Sequence, residues 1–440
     1  MSKITIAFKK TGGKIKPMHA VNNGPIKPSS IEQTRGNFDA FKAAKIPYVR
    51  NHDASFCAAY GGEHTVDVHA IFPDFTKNPY DPASYDFTLT DEYLNTITEA
   101  GSEVFYRLGS KIEHWSKKYG TIVPPDFHKW AVICEHIIRH YNEGWANGFH
   151  LGITYWEIWN EPDGKKSNGD QPNWSGTPQE YYELYEIAAT HLKSRFPHLK
   201  IGGPALSWLQ HEQWFDNFLT HLTRDGKRIP LDFFSWHSYL NDPHHIANNT
   251  RFVREKLDFY GYTETENHLN EYNYLLNFTT RFVESIEGII SIRGAAFTAA
   301  AMCVGQVEAL DMLMYYDACV ATVFNGMFDY YTLRPIKGYY PFLYFSELYA
   351  LGNAAEVHSD ADDVYAVAAS KDGDCAAMVV YYPMDDSGNR MVNIHMDMPG
   401  TYTLRTVNGD VTDEQTTVTA EDGTLSIEMK PNTIIQVANA

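Results

Sequence analysis

The amino-acid sequence predicts an α/β protein, a (β/α)8 TIM barrel with a C-terminal β-sandwich domain. Three observations carry that prediction. Eight short apolar runs alternate with amphipathic stretches between residues 18 and 352. No Gly-rich turn follows the first run, so the nucleotide signature of a doubly wound open sheet is missing. From residue 353 to 440 the helical periodicity stops, and short β-like runs separated by turn residues take over.

In chain order, residues 1–17 hold one strand-like run, Ile4–Lys9, which is expected to pair with the β domain. The barrel is expected over 18–352. Its strands are read at Met18–Asn22, Tyr48–His52, Val104–Leu108, Ile153–Trp159, Lys200–Gly203, Phe233–His237, His268–Glu271 and Met312–Tyr316. Between them, Phe127–Tyr141 places Trp130, Ile133, Cys134, Ile137 and Ile138 on one helical face, and Tyr181–Phe196 is also read as helix. The accessory domain is expected over 353–440, with strands at Val364–Ser370, Ala376–Tyr382, Met391–Met396, Thr401–Thr406 and Thr433–Ala438.

Bulk properties narrow the function. At 440 residues, one large domain plus one small one is expected. The net charge of −19 argues against nucleic acid, which needs a cationic face, and suits an enzyme acting on a neutral substrate. The five cysteines (Cys57, Cys134, Cys303, Cys319 and Cys375) form no CxxC pair and read as reduced, buried thiols. With no apolar leader and no long apolar run, the expected location is cytoplasmic, or secreted if a signal peptide has been removed, without a membrane partner. On that reading the glycosylation patterns at Asn173, Asn248 and Asn277 are chance matches.

The sharpest local signal is Trp156-Glu157-Ile158-Trp159-Asn160-Glu161-Pro162. Proline cannot donate to a ladder, so it ends the strand and leaves Glu161 on the barrel's C-terminal face. A carboxyl walled by Trp159 would resist ionisation and act as a general acid. For a lone Glu the ordinary alternative is an ion pair with a basic side chain. A second glutamate, Glu271 in Leu269-Asn270-Glu271-Tyr272-Asn273, ends the seventh predicted strand. Ends of strands four and seven face each other across a barrel mouth, and two such carboxylates are what glycosidic cleavage needs. Ser235-Trp236-His237-Ser238-Tyr239 ends strand six, where His237 or Tyr239 could hydrogen-bond the nucleophile. Arg50-Asn51-His52-Asp53 ends strand two, where Arg50 would lower the pKa of a nearby carboxylate or form a structural ion pair at the rim.

These motifs resemble the clan of retaining glycosidases with paired glutamates, and within it glycoside hydrolase family 39, known for β-xylosidases and α-L-iduronidases. His19-Ala20-Val21-Asn22-Asn23-Gly24-Pro25 and Trp174-Ser175-Gly176-Thr177 add to the likeness. The resemblance implies Glu161 as acid/base and Asn160 on the sugar 2-hydroxyl. It implies Glu271 as nucleophile with Arg50 and Tyr239 beside it, and His52 and His237 lining the subsite of the cleaved sugar. Such relatives carry a tryptophan near the end of strand eight. Here no Trp follows Trp236, and Tyr315, Tyr316 and Phe324 are the rings available.

The expected function is therefore a retaining glycosidase, a β-xylosidase-like exo-enzyme on oligosaccharides, needing no cofactor. Asn173–Gly176 and the long segment 54–86 could close the cleft into a pocket. Trp174 reads as a ring bordering a substrate subsite, or else as a loop anchor. β-Galactosidase or arabinosidase-type specificity is the alternative within the family; a catalytically silent carbohydrate-binding protein is the alternative of another class. A metal centre is not expected, because His237, His244, His245 and Asp242 lack HExxH spacing and Pro243 interrupts them. The expected partner is an oligosaccharide or glycoside, with a homo-oligomer compatible.

Overall fold

The computed structural model describes residues 2–28, 35–53, 64–165 and 169–439. After an N-terminal strand, β1 (Ser2–Lys14), eight strands close a barrel. They are β2 (Ala20–Asn22), β3 (Tyr48–Asn51), β4 (Glu103–Leu108), β5 (Tyr155–Ile158), β6 (Lys200–Leu206), β7 (Phe233–Leu240), β8 (Glu266–Tyr274) and β9 (Met312–Tyr315). Each is parallel to its neighbours, and β9 returns to β2 with Met314 opposite Ala20 and Tyr315 opposite Val21. Closure leaves the barrel no free edge.

The period-two pleat sorts the interior into layers. The lower layer is apolar, with Ala20, Phe105, Phe233 and Met312 buried and Tyr48 and Tyr155 packed against them. Two residues further along these strands stand Asn22, Arg50, Glu157 and Ser235, all fully buried and hydrogen-bonded to one another or through shared partners. The helices face outward from this core. Helix Phe127–Glu143 starts where the Asp126 side chain accepts from the Lys129 amide, and ends at Gly144 with φ +74°. Helix Pro178–Arg195 starts with a capping box between Thr177 and Glu180.

Several of the predicted strand ends lie elsewhere. β7 and β8 run on past His237 and Glu271 to Leu240 and Tyr274. A bulge makes this possible: Trp236 pairs with Leu269, but His237 pairs with Glu271, leaving Asn270 as an extra residue. β5 stops one residue short of Trp159, whose φ of +76° no strand tolerates.

The second unit is a nine-stranded sheet. Its further members are β10 (Asn353–Ser359), β11 (Val364–Lys371), β12 (Asp374–Tyr381), β13 (Arg390–Met396), β14 (Gly400–Val407), β15 (Glu414–Ala420), β16 (Thr424–Met429) and β17 (Thr433–Asn439). The order is β15-β14-β17-β12-β11-β10-β1-β13-β16, and the two edge strands curl toward each other until they touch. β1 lies between β10 and β13, with Ile4 opposite both Ser359 and Ile394. The concave face buries Ile4, Ile6, Phe8, Val379, Ile394 and Val437. The other side of β11 and β12 packs on barrel helices Ile292–Val307 and Tyr340–Leu351. Arg293 of the first helix stacks 4.1 Å from the Tyr382 ring and donates to the Pro383 carbonyl at 2.6 Å. Cys134, Cys303, Cys319 and Cys375 are buried, while Cys57 and residues 54–63 of the segment 54–86 lie outside the described residues.

Candidate active site

The site sits at the C-terminal ends of the barrel strands and begins with a sharp turn after β5. Trp159 and Glu161 both have left-handed backbone, φ +76° and +48°. For residues with a Cβ each such conformation costs about 1–3 kcal/mol, so the surroundings must hold it. They do so with hydrogen bonds from Trp159 N to Leu108 O (2.6 Å), Glu161 N to Ala205 O (2.9 Å) and the Trp159 indole to Asn173 O (2.7 Å). Gly109 must be glycine here, because a Cβ would lie 2.9 Å from the Trp159 Cα. The turn lets consecutive residues Asn160 and Glu161 both line the same cleft.

Arg50 is the hub beneath them. Wholly buried, its guanidinium donates to Glu157 Oε2 (2.7 Å), Asn22 Oδ1 (2.9 Å), Asn160 Oδ1 (2.6 Å) and Glu271 Oε1 (2.7 Å). Glu157, also wholly buried, accepts from Ser235 and Asn270 at 2.6 Å on its other oxygen. Its negative charge balances Arg50 from below, and with Glu271 it keeps Arg50 protonated although burial alone works against charge. Asn160, its carbonyl engaged by Arg50, is left with its amide group for a ligand.

Glu271 receives Arg50 on Oε1 and the Tyr239 hydroxyl on Oε2, both at 2.7 Å. His237 Nδ1 lies 3.4 Å from Oε2 and His52 Nε2 3.8 Å from Oε1. Burial would raise the Glu271 pKa, but the charges of His237, Arg50 and His52 and the Tyr239 hydrogen bond outweigh it and hold the carboxylate below its ordinary value. Glu161 is set differently. Its Oε1 is 2.7 Å from His237 Nδ1, and its Oε2 accepts from the Asn173 amide at 2.6 Å. His237 thus stands between the two glutamates; burial disfavours its charge, but Glu271 and Glu161 raise its pKa above 6.5. One oxygen of each glutamate and an His237 nitrogen lie within 4.8 Å of one another.

The cleft over this network has a volume of about 710 Å³ and is lined by His52, Asn160, Glu161, Tyr239, Glu271, Tyr316 and Phe324, among others. Tyr316 donates to Asp53, which also pairs with Lys111 (2.8 Å) and His52 (3.0 Å). Tyr316 and Phe324, with ring centroids 5.6 Å apart, occupy the wall at the end of β9, whereas Tyr315 is buried behind them with its hydroxyl on Phe324 O.

One expected contact is corrected. Trp174 does not border the cleft: it is wholly buried, its indole donates to Thr177 O (2.9 Å), and its ring meets Trp159 edge-on at 5.0 Å. It anchors the loop, and the neighbour it anchors, Asn173, is the one that reaches Glu161. Sequence reasoning placed Asn173 in a loop that could close the cleft and in a glycosylation pattern, but did not see its bond to Glu161; the side chain is 1% exposed and inaccessible in the fold. It also missed Glu157 and Asn22, for which a charged or amide residue inside an apolar run was the available signal.

Among the described residues, two clusters have metal-ligand spacing: Glu161, His237 and Glu271, and His64, Asp67 and His69. In each, a guanidinium already holds a carboxylate, Arg50 on Glu271 and Arg107 on Asp67, so an added cation would meet like charge. His244 turns away to Tyr365 and Asp362 of the β domain and does not converge with His237.

The sequence profile described as Glycosyl hydrolases family 39 matches residues 2–262. A β-xylosidase of Geobacillus stearothermophilus is 28% identical over 183 residues, 39% of this chain and 34% of that protein. One of Caldicellulosiruptor saccharolyticus is 29% identical over 169 residues, 36% of this chain and 32% of that protein. The chain thus matches about a third of the length of these relatives. Among solved structures, a glucosidase from Croceicoccus marinus superposes with TM-score 0.81 at 21% identity, covering 100% of this chain and 98% of that one. A GH39 β-xylosidase from Caulobacter crescentus superposes with TM-score 0.70 at 16% identity, covering 99% of each.

Proposed function

Because the chain belongs to glycosyl hydrolases family 39, we propose that it cleaves glycosides with retention of configuration, as a β-xylosidase-like exo-enzyme. The observation that carries this reading is the pair of glutamates with oxygens within 4.8 Å of each other in unlike settings. That spacing suits direct attack, for which carboxyl groups stand about 5–5.5 Å apart, rather than the roughly 6.5–9.5 Å that admits an intervening water.

In this mechanism Glu271, held ionised by Arg50 and Tyr239, attacks the anomeric carbon with an oxygen lone pair. The bond to the leaving oxygen breaks as that oxygen takes a proton from Glu161. The His237–Glu161 hydrogen bond survives with the proton on either partner, so His237 supplies the proton that Glu161 hands on. Once Glu271 is an ester its charge is gone, and with it the largest attraction that kept His237 protonated. Glu161 then accepts a proton from water, whose oxygen attacks the anomeric carbon and frees Glu271. Asn160, fixed by Arg50, offers its amide to the sugar beside the reacting carbon. The xylosidase-like preference is supported by the names of the two curated relatives.

Proton NMR of a fresh reaction on an aryl β-xyloside tests the reading. The β-anomer should form first and then mutarotate. A first-formed α-anomer would make Glu271 a base, and the retaining mechanism would fall.

A further inference from the structure

We infer that the leaving-group side of the cleft takes an apolar aglycone, a ring system or alkyl chain, in preference to a second sugar. This rests on the glycosidase reading above and adds the substrate class to it. The leaving oxygen must lie beside Glu161, so the walls joined to the turn of Glu161 flank the leaving group. Asp163, two residues on, accepts from Ser207 N (2.9 Å) and Ser207 Oγ (2.8 Å) and contacts His211 Nδ1 (3.1 Å). That clamp fixes the loop carrying Trp208, a cleft residue 47% exposed.

The cleft changes character between its two ends. Around Glu271, the groups are fixed donors and acceptors suited to one sugar ring: Arg50, Asn160, His52 and Tyr239. The rest of the lining includes Ile112, Pro172 and Trp208, together with Phe278 and Phe282, which pack against Tyr239 and Phe324. The Phe278 and Phe282 rings are 6.2 Å apart and inclined by 26°, forming one apolar surface, and Phe278 is 52% exposed. Single exposed apolar residues are ordinary, but a group of them at the mouth of a cleft marks a surface meant to be covered.

On the Trp208 loop, Ser207 and His211 Nδ1 are already engaged by Asp163. His114 and Lys165 also line the cleft and are exposed. A second sugar would lay several hydroxyls against Ile112, Pro172, Trp208, Phe278 and Phe282, and hydroxyls that lose water without gaining partners oppose binding. An alkyl or ring aglycone loses only unfavourable contact with water there.

The test compares methyl, hexyl and cyclohexylmethyl glycosides of one sugar with the disaccharide of that sugar. The three alcohols leave with similar acidity, so only apolar area differs among them. We expect kcat/KM for the hexyl and cyclohexylmethyl glycosides to exceed that for the methyl glycoside and the disaccharide by about tenfold or more. Trp208→Ala and Phe278→Ala should each shrink the hexyl-to-methyl ratio several-fold. A disaccharide cleaved as well as the hexyl glycoside, or a ratio unmoved by either variant, would overturn the inference. Calorimetric binding of the same compounds to Glu271→Gln separates the two readings. Tighter binding of the hexyl glycoside without hydrolysis by the wild type would sink the glycosidase reading alone. Equal or weaker binding than the disaccharide would sink the aglycone inference even where hydrolysis is found.

Discussion

At Glu271, four groups act on one carboxylate, and three of them carry or can carry positive charge. At Glu161, the neighbours are His237 and the neutral amide of Asn173. This asymmetry separates the roles in a way two variants can show. Glu161→Ala should still form the glycosyl-enzyme readily from dinitrophenyl glycosides, whose leaving group needs no proton, and then deglycosylate slowly; added azide should speed that second step. Glu271→Gln should lose several powers of ten on every substrate, with no azide effect. Equal loss for Glu161→Ala on good and poor leaving groups would contradict its role. The shifts also set a pH window for stability. His237 has its pKa raised, so its contribution is complete below 6.5 and fades as pH rises through the higher native value. Glu271 has its pKa lowered, so its contribution is complete above 4.5 and fades as pH falls through the lower native value. The Tm advantage of wild type over His237→Asn should therefore be widest between those limits and narrow toward alkaline pH. A constant gap from pH 5 to 9 would show that His237 is not charged in the native site.

At the scale of elements, the site depends on two departures from regular strand. The left-handed turn at Trp159 and Glu161 brings neighbouring residues to one cleft, and the bulge at Asn270 brings Asn270 and Glu271 into one buried network: Asn270 bonds Glu157 while Glu271 bonds Arg50 and Tyr239. The loop after Glu161 braces the first departure through the Trp159–Trp174 contact and the Asn173 side chain. Trp174→Ala should therefore cost about 3–5 kcal/mol of stability, the usual range for deleting a buried indole. It should lower kcat by loosening Asn173, with KM little changed. Urea unfolding and kinetics on an aryl glycoside together check this. A raised KM with unchanged stability would put the ring in the cleft.

At the scale of the whole molecule, the two ends of the chain meet in one sheet. β1 is paired on both sides, so its loss would open β10 and β13 and uncover the residues that Ile4, Ile6 and Phe8 cover, such as Val379, Ile394 and Val437. Two unpaired, apolar edges invite association between chains. Removing residues 2–14 should thus lower the Tm and drive aggregation, visible by light scattering. A monomeric product with the wild-type melting curve would show that the strand is dispensable. The β domain in turn covers helices Ile292–Val307 and Tyr340–Leu351, whose apolar residues would otherwise face water.

The sequence alone determined the barrel, because parallel strands buried on both faces leave continuous apolar runs that need no knowledge of their neighbours. It also marked the two glutamates, since Asn-Glu-Pro and Asn-Glu-Tyr break those runs with charge at strand ends. It did not reveal β15 or β16, whose residues, such as Glu414-Gln415-Thr416-Thr417, are polar because edge strands bury little. Only the tertiary structure decided which partners each carboxylate meets and that Glu271 is held below its ordinary value. That depends on distances across the barrel, from Arg50 on β3, from Tyr239 and His237 on β7, and from Asn173 on a loop, and no local pattern encodes such distances. The same holds for Trp174: its type suggested a sugar platform, and whether a ring faces cleft or core is settled by what packs against it, here Trp159 and Tyr181.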